Sequence, residues 1–359
     1  MSIVLFLLWP GVAATLPVID IAPLLEPDPG LAAGRLNCTQ AIVQALQASG
    51  IFLIVGHGLD TDNVHFRAGE NLFGLEEDAK LEVSMGKDYM RGYIPYGAES
   101  GLRQSVVEPK EGFAYGHPSV NDKDEDLNYL AYPNTWPRGF AAEDRLTLEA
   151  MYSRKVEISK VIVRAVASEV VGDMDVESML EGGELISLER MFHYFPVSGT
   201  EGKKSGIASD KTILGSSPHR DWGLLTLILQ DDVGGLEYLD LSSPEGTWRG
   251  VPSVPSTLVV NGGDFLALLT DNKCQSPIHQ VRAPATKERL SFVFFFYPAY
   301  GTPVPRRRAD LVEQEVKMQF NSFSGSTETL FGDAMVNKWK GVQTLTHSRS
   351  LEEVSSSLL

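Results

Sequence analysis

The chain has 359 residues, 43% hydrophobic and 22% charged, the balance of a protein that buries a large core and not of a disordered one. A formal net charge of −16 excludes a general affinity for nucleic-acid backbones or anionic membranes, because that binding neutralises phosphates with Lys and Arg; a small molecule is the partner that fits. Two cysteines, Cys38 and Cys274, stand far apart without metal-type spacing, which excludes a disulfide framework and a thiolate zinc site and suits a reducing, cytoplasmic compartment.

Residues 1–15 open on an apolar run, MSIVLFLLWPGVAA. It lacks a basic flank and Pro10 interrupts it, so it reads as an arm before the first strand, with a targeting segment as the alternative. Residues 16–21 (LPVIDI) alternate apolar and polar side chains ahead of Pro23, the pattern of a short edge strand. A helix is expected over 31–49, with Leu36, Ile42, Val43 and Leu46 on its apolar side, and then a buried strand at 51–55 (IFLIV) ending at Gly56. Residues 60–83 look helical again. The stretch 84–138 is rich in Gly, Pro, Tyr and Asn and reads as loops and short strands that line a pocket. The longest helix is expected from 141 for about 30 residues, with Leu146, Met151, Ile158, Ile162 and Val166 spaced for one face.

Beyond 185 the texture changes to short apolar runs separated by turn signals: SLERMFHYF, LLTLILQ, LEYLDL, TWRGVP, TLVVN, FLALLT, HQVRAP and RLSFVFFFY. Strands at this density indicate an antiparallel sandwich or barrel. The tail carries Arg306, Arg307 and Arg308, then expected helices over 311–320 and 331–340 that pack over the barrel mouth. The organisation expected is one integrated domain acting as a monomer: an arm (1–15), an α/β region (16–180), a barrel core (181–300) and a helical tail (301–359) as an active-site cap.

The chemistry centres on His219-Arg220-Asp221. In a strand, residues two apart share a face, so this imidazole and carboxylate reach one point inside a barrel. A second imidazole is offered by His279, just before another expected strand. Two imidazoles and a carboxylate on one face of an octahedral ion leave three positions open, as Fe(II) needs to hold a chelating keto acid and dioxygen together. Arg289 and Ser291 have the same two-residue spacing, and a guanidinium fork with a hydroxyl suits a distal carboxylate. An Arg pointing into a barrel this apolar needs an anion to pair with.

These residues and their surroundings resemble the isopenicillin N synthase-like branch of the 2-oxoglutarate and Fe(II)-dependent dioxygenases. The resemblance runs through LPVIDIAPLL, IFLIVGHGL, KEGFAYGHP, RMFHYFP, SSPHRDWGLLTLILQD, GGLEYLD, VNGGDFLALLTDNKCQSPIHQV and ERLSFVFFFYP, covering most of residues 16–300. It implies a mainly β fold with flanking helices around a double-stranded β-helix (jelly-roll, cupin-like) core. It also implies Fe(II) on His219, Asp221 and His279, and 2-oxoglutarate on Arg289 and Ser291, with dioxygen as second co-substrate and ascorbate as a reductant. The implied activity is hydroxylation, desaturation or ring closure of a small organic molecule, with release of succinate and carbon dioxide. Two alternatives stay open: an oxidase that draws all its electrons from substrate, and a barrel that binds a small ligand without catalysis.

One motif departs from the pattern. In many relatives of that branch an Asn stands in the place of His193 and a Tyr in the place of Phe195, and the phenol helps hold 2-oxoglutarate. Phe195 cannot donate that bond, which shifts the task to Arg289 and Ser291, or to His193. The pocket wall is expected from Arg91, Tyr93, Tyr96, Lys110, Phe113, Tyr115, His193, Phe195 and Trp222, with Asn261 and Leu268 lining the co-substrate. Arg103, Lys110 and Arg306 to Arg308 suggest a carboxylated substrate. His57 reads as structural.

Overall fold

Short apolar runs, buried almost throughout, build the main sheet of this protein, and the computed structural model describes residues 16–26, 28–60, 63–86, 88–99, 106–121, 123, 128–172, 175–197, 212–243, 245–305, 323 and 328–347. In chain order the main elements are β1 (Val18–Asp20), α1 (Ala32–Ala48), β2 (Ile51–Val55), α2 (Val64–Phe73), α3 (Glu77–Leu81), β3 (Gly92–Ile94), β4 (Lys110–Tyr115) and α4 (Ala142–Val170). They continue with β5 (Leu188–Tyr194), β6 (Ser216–His219), β7 (Leu225–Gln230), β8 (Leu236–Asp240), β9 (Thr247–Gly250), β10 (Leu258–Gly262), α5 (Asp264–Leu269), β11 (His279–Val281), β12 (Arg289–Phe296) and α6 (Phe331–His347). The expected arm, Arg103, Arg306 to Arg308 and the expected helix over 311–320 lie outside the described residues.

Among the described residues the main sheet has eight strands in the order β1-β2-β10-β7-β12-β5-β4-β3, and a smaller sheet of four runs β9-β8-β11-β6. The two face each other as the jelly-roll core. Pairing is antiparallel from β2 to β3 across the main sheet, and β1 joins its edge in parallel with β2.

Residues opposite one another in a pair share a face. Tracing the register from Leu53 through Val259 and Ile228 to Val293 and Arg190 defines the inner face of the main sheet. There Ile51, Leu53, Phe192, Tyr194, Ile228 and Val259 meet Leu236, Tyr238 and Val281 of the small sheet. The alternate residues, among them Met191, Leu227, Leu229, Phe292 and Phe294, form the outer face and pack under the helices. The 29-residue α4 docks on that face partly through a fully buried ion pair, Lys155 to Glu189 at 2.7 Å.

Four expectations change, the first being Leu36, expected on the apolar side of α1 but 51% exposed. The apolar run 265–270 was expected as a strand but forms α5, since a six-residue apolar run suits a buried helical turn as well as a strand and Leu and Ala favour the helix. The helix expected over 60–83 is two, interrupted at residues 74–76. Leu146, expected on the buried face of α4, is 64% exposed because burial starts with Leu148. No helix among the described residues is long and apolar enough to cross a membrane.

Candidate metal centre

His219 closes β6, and the antiparallel register puts His279 of β11 directly opposite it, with ring centroids 4.2 Å apart. Asp221 lies just past the strand end, so its placement comes from the turn that follows. The Asp221 carbonyl accepts Asp264 N–H at 2.8 Å, and Gly223 O accepts Phe265 N–H at 3.1 Å, which seats this loop on the start of α5. The approach requires glycine: a Cβ on Gly263 would stand 2.1 Å from Gly223 O.

Asn261 Nδ2 donates to Asp221 Oδ2 at 2.7 Å and turns Oδ1 toward the imidazoles, 3.7 Å from His219 Nε2 and 3.6 Å from His279 Nε2. Asn261, expected to line the co-substrate, thus orients the carboxylate instead. Among the described residues these three groups form a cluster whose ligand atoms lie within 4.8 Å of one another. His219 Nδ1 is 2.7 Å from Ser217 O and His279 Nδ1 is 3.3 Å from Pro277 O. With each Nδ1–H donating to its carbonyl, each Nε2 lone pair is left for a cation. Burial and the neighbouring His279 push His219 down to about 4, which keeps its ring neutral at ordinary pH, as ligation demands. Two neutral imidazoles and one carboxylate fit a ferrous ion with open positions.

Arg289 and Ser291 sit at the start of β12, each 1% exposed on the inner face. Arg289 donates from Nε to Gly234 O at 2.6 Å, from Nη1 to Ser291 Oγ at 3.1 Å and from Nη2 to Gln230 Oε1 at 3.1 Å. A guanidinium carries about five N–H donors, so the anchored fork still has capacity for a carboxylate. Tyr194 stands opposite Arg289, its ring 4.7 Å from the guanidinium carbon.

That register corrects the reading of the 192–196 segment. Tyr194 faces inward beside Arg289, so by alternation His193 and Phe195 cannot. His193 turns to Glu111 at 2.8 Å and Glu288 at 3.0 Å, and Phe195 packs on Tyr96 at 5.2 Å. A phenol does stand on the inner face one residue earlier, at Tyr194. A clue was legible in the strand: Phe192 and Tyr194 share a parity, but only the partner strand says which parity points inward.

Four other expected wall residues also face the helices. Tyr93 donates to Glu111 at 2.6 Å, Phe113 stacks on Trp136 at 5.2 Å and Tyr115 donates to Leu148 O at 3.2 Å. Arg91 is buried among backbone carbonyls, donating to Leu130 O at 2.6 Å and Met90 O at 3.0 Å. Leu268 is buried in the core. His57 is structural as expected, with its ring beside Ser256 O and Leu59 N. Lys110 lies on the inner face and Trp222 packs edge to face on Trp339 of α6 at 4.9 Å. Sequence reasoning did not single out Tyr194, Glu99, Glu108 or Arg190, whose contacts are with partners distant in sequence.

Comparison with known proteins gives two family matches: the 2OG-Fe(II) oxygenase superfamily over residues 191–298, and the N-terminal region described as non-haem dioxygenase in morphine synthesis over residues 16–139. Clavatol oxidase of Penicillium crustosum is 33% identical over 297 residues, covering 78% of this chain and 85% of that protein. A 2-oxoglutarate-dependent dioxygenase of Didymella fabae is 32% identical over 289 residues, covering 78% and 84%. Among solved structures, a full-length Neurospora crassa protein in complex with alpha-KG superposes with a TM-score of 0.70 at 22% identity, covering 94% of this chain and 99% of that one.

Proposed function

This chain belongs to the 2-oxoglutarate and Fe(II)-dependent dioxygenases, and from that premise we propose that His219, Asp221 and His279 hold the iron while Arg289, Ser291 and Tyr194 receive the co-substrate. The protein oxidises a small organic molecule and releases succinate and carbon dioxide. When bound, Fe(II) with 2-oxoglutarate supplies the activation of dioxygen that side chains alone cannot.

The residues divide the remaining work. Asn261 fixes the Asp221 carboxylate and the carbonyls of Ser217 and Pro277 fix the two rings, so the ligand set is formed before any cation arrives. Gly234 O and Gln230 hold the Arg289 fork in place, and the Tyr194 phenol stands on the same inner face as a further donor. The tail helix α6 acts as the cap through Trp339 on Trp222. The enzyme acts as a monomer, which light scattering on the purified chain tests.

Of the cations that suggest a carboxylated substrate, Lys110 is paired with Glu108 at 2.8 Å and Glu99 at 3.4 Å, and Arg103 and Arg306 to Arg308 lie outside the described residues. The observation that carries the metal reading is the convergence of the three ligand atoms with both Nδ1 positions turned to carbonyls. Anaerobic titration with Fe(II) and 2-oxoglutarate should raise a visible charge-transfer band that His279→Ala abolishes. A wild-type protein with no band would refute the assignment.

A further inference from the structure

His219 reaches the metal site through an irregularity in the edge strand that carries it. From Ser216 to His219 β6 advances three residues, while its partner β11 advances two from Val281 to His279. That is a β-bulge with the extra residue on β6, the device by which an edge strand beside a site re-aims one side chain. The bulge falls on Ser217 and Pro218. Pro218 has no N–H to give to the ladder, and the Ser217 N–H leaves it for a side chain.

The group that receives it is the buried carboxylate of Glu108. Its Oε1 accepts the Ser217 N–H at 2.7 Å and its Oε2 accepts from Lys110 Nζ at 2.8 Å, so each oxygen has its own donor. Lys110 also lies 3.4 Å from Glu99, which pairs with Arg190. Two cations thus face two carboxylates, and the acceptor is buried without a lone charge. Burial pulls Lys110 down, but Glu108 and Glu99 outweigh it and the ammonium stays charged. The backbone around Glu108 is tied to the main sheet, since Lys110 N–H donates to Glu108 O at 2.8 Å and Phe195 N–H to Pro109 O at 2.9 Å. On the other side of the bulge, Ser217 O is 2.7 Å from His219 Nδ1. One residue of β6 therefore gives a hydrogen bond to Glu108 and takes one from the His219 ring.

We propose that Glu108 is a positioning residue of the iron site: its Oε1 holds the bulge at Ser217 in the form that aims the His219 ring at the metal and keeps the Ser217 carbonyl against Nδ1. The proposal rests on the iron assignment above. A hydrogen bond to an ionised carboxylate is about twice as strong as a neutral one, which suits a strand edge that has lost its ladder bond. Without that acceptor the Ser217 N–H is drawn back toward β11, and a shift of register by one residue turns the side chains that follow to the other face. What the role requires is an acceptor oxygen at this point, and the negative charge serves to balance Lys110.

Two double variants of the full chain separate this from a merely structural role. Glu108→Gln/Lys110→Met and Glu108→Leu/Lys110→Met each remove one charge of either sign and leave Glu99 with Arg190, so neither buries a lone ion. The Gln side chain keeps an acceptor for the Ser217 N–H and the Leu side chain does not. Anaerobic titration with Fe(II) at saturating 2-oxoglutarate, read on the visible band, should give the Leu variant a dissociation constant about 10- to 100-fold above that of the Gln variant, the range for losing a group that orients a metal ligand. Metal-free thermal melts establish that both are folded; a structural role lowers that melting temperature and leaves the two Fe(II) constants alike. Equal constants, whether both near wild type or both weakened, overturn the proposal. If either variant does not fold, amide hydrogen exchange in the wild type decides. Coupling is reciprocal, so Fe(II) with 2-oxoglutarate should slow exchange at Ser217 about tenfold more than at Gly215, whose N–H donates to Val281 O on the ladder side. Equal slowing at the two amides overturns the proposal. Failure of the iron reading shows separately, as a missing band in the wild type.

Discussion

At the scale of single residues, two inward-facing positions separate the roles that strand register assigns. Asn261 gives its amide to Asp221, so Asn261→Leu should weaken Fe(II) binding about 10- to 100-fold, as losses of groups that orient a metal ligand generally do. Titration of the visible band measures it. Tyr194 and Phe195 make a matched pair: Tyr194→Phe removes the phenol beside Arg289 and should raise the KM for 2-oxoglutarate about tenfold, the worth of a hydrogen bond to a charged group. Phe195→Tyr, on the other face, should leave that KM unchanged; a large drop would mean that the strand is read in the wrong register.

At the scale of elements, α4 is held on the outer face of the main sheet by a buried ion pair as well as apolar contacts, while α2 packs there through apolar side chains and buries one histidine. Burial outweighs the mutual attraction of Lys155 and Glu189, lowering the amine and raising the carboxyl to about 7. Removing one partner strands a charge, so Lys155→Met should cost about 3–5 kcal/mol in urea unfolding. The double variant Lys155→Met/Glu189→Leu should recover most of that. In α2, burial pushes His65 down to about 4, with Lys155 adding to the effect. The folded state therefore keeps this ring neutral while the unfolded chain protonates it near 6.5, so the stability it contributes is complete above 6.5 and lost as the pH falls toward 4. His65→Phe should flatten the fall of the urea midpoint over that window; an unchanged slope would assign acid sensitivity to other groups.

For the whole molecule, the proposed iron site lies where both sheets meet. His219 comes from β6, His279 from β11, and Asp221 is held by Asn261 of β10 and the start of α5. An unfolded chain cannot assemble that set, so ligation is linked to global stability. Fe(II) at a hundred times its dissociation constant should add about 2.7 kcal/mol, roughly 3–4 °C in melting temperature for a protein of this size. Anaerobic thermal melts with and without a chelator test it, and His279→Ala should remove the difference.

Much of this site could be read from the chain by itself, and the reason is local periodicity. The two-residue spacing of Arg289 and Ser291 puts both on one face of a single strand, and the 29-residue α4 follows from helical periodicity within one segment. Strand alternation also gives relative facing, but not which face is inward. That choice belongs to the partner strand, which is why Tyr194 and not Phe195 stands beside Arg289. The same limit placed Tyr93, Phe113 and Tyr115 in the pocket, where the register turns them to the helices. The meeting of His219 with His279, and the pairing of Arg190 with Glu99, join residues about 60 and about 90 positions apart. Only tertiary packing decides contacts of that range, because the pairing of distant strands depends on the whole set of faces that must be buried together.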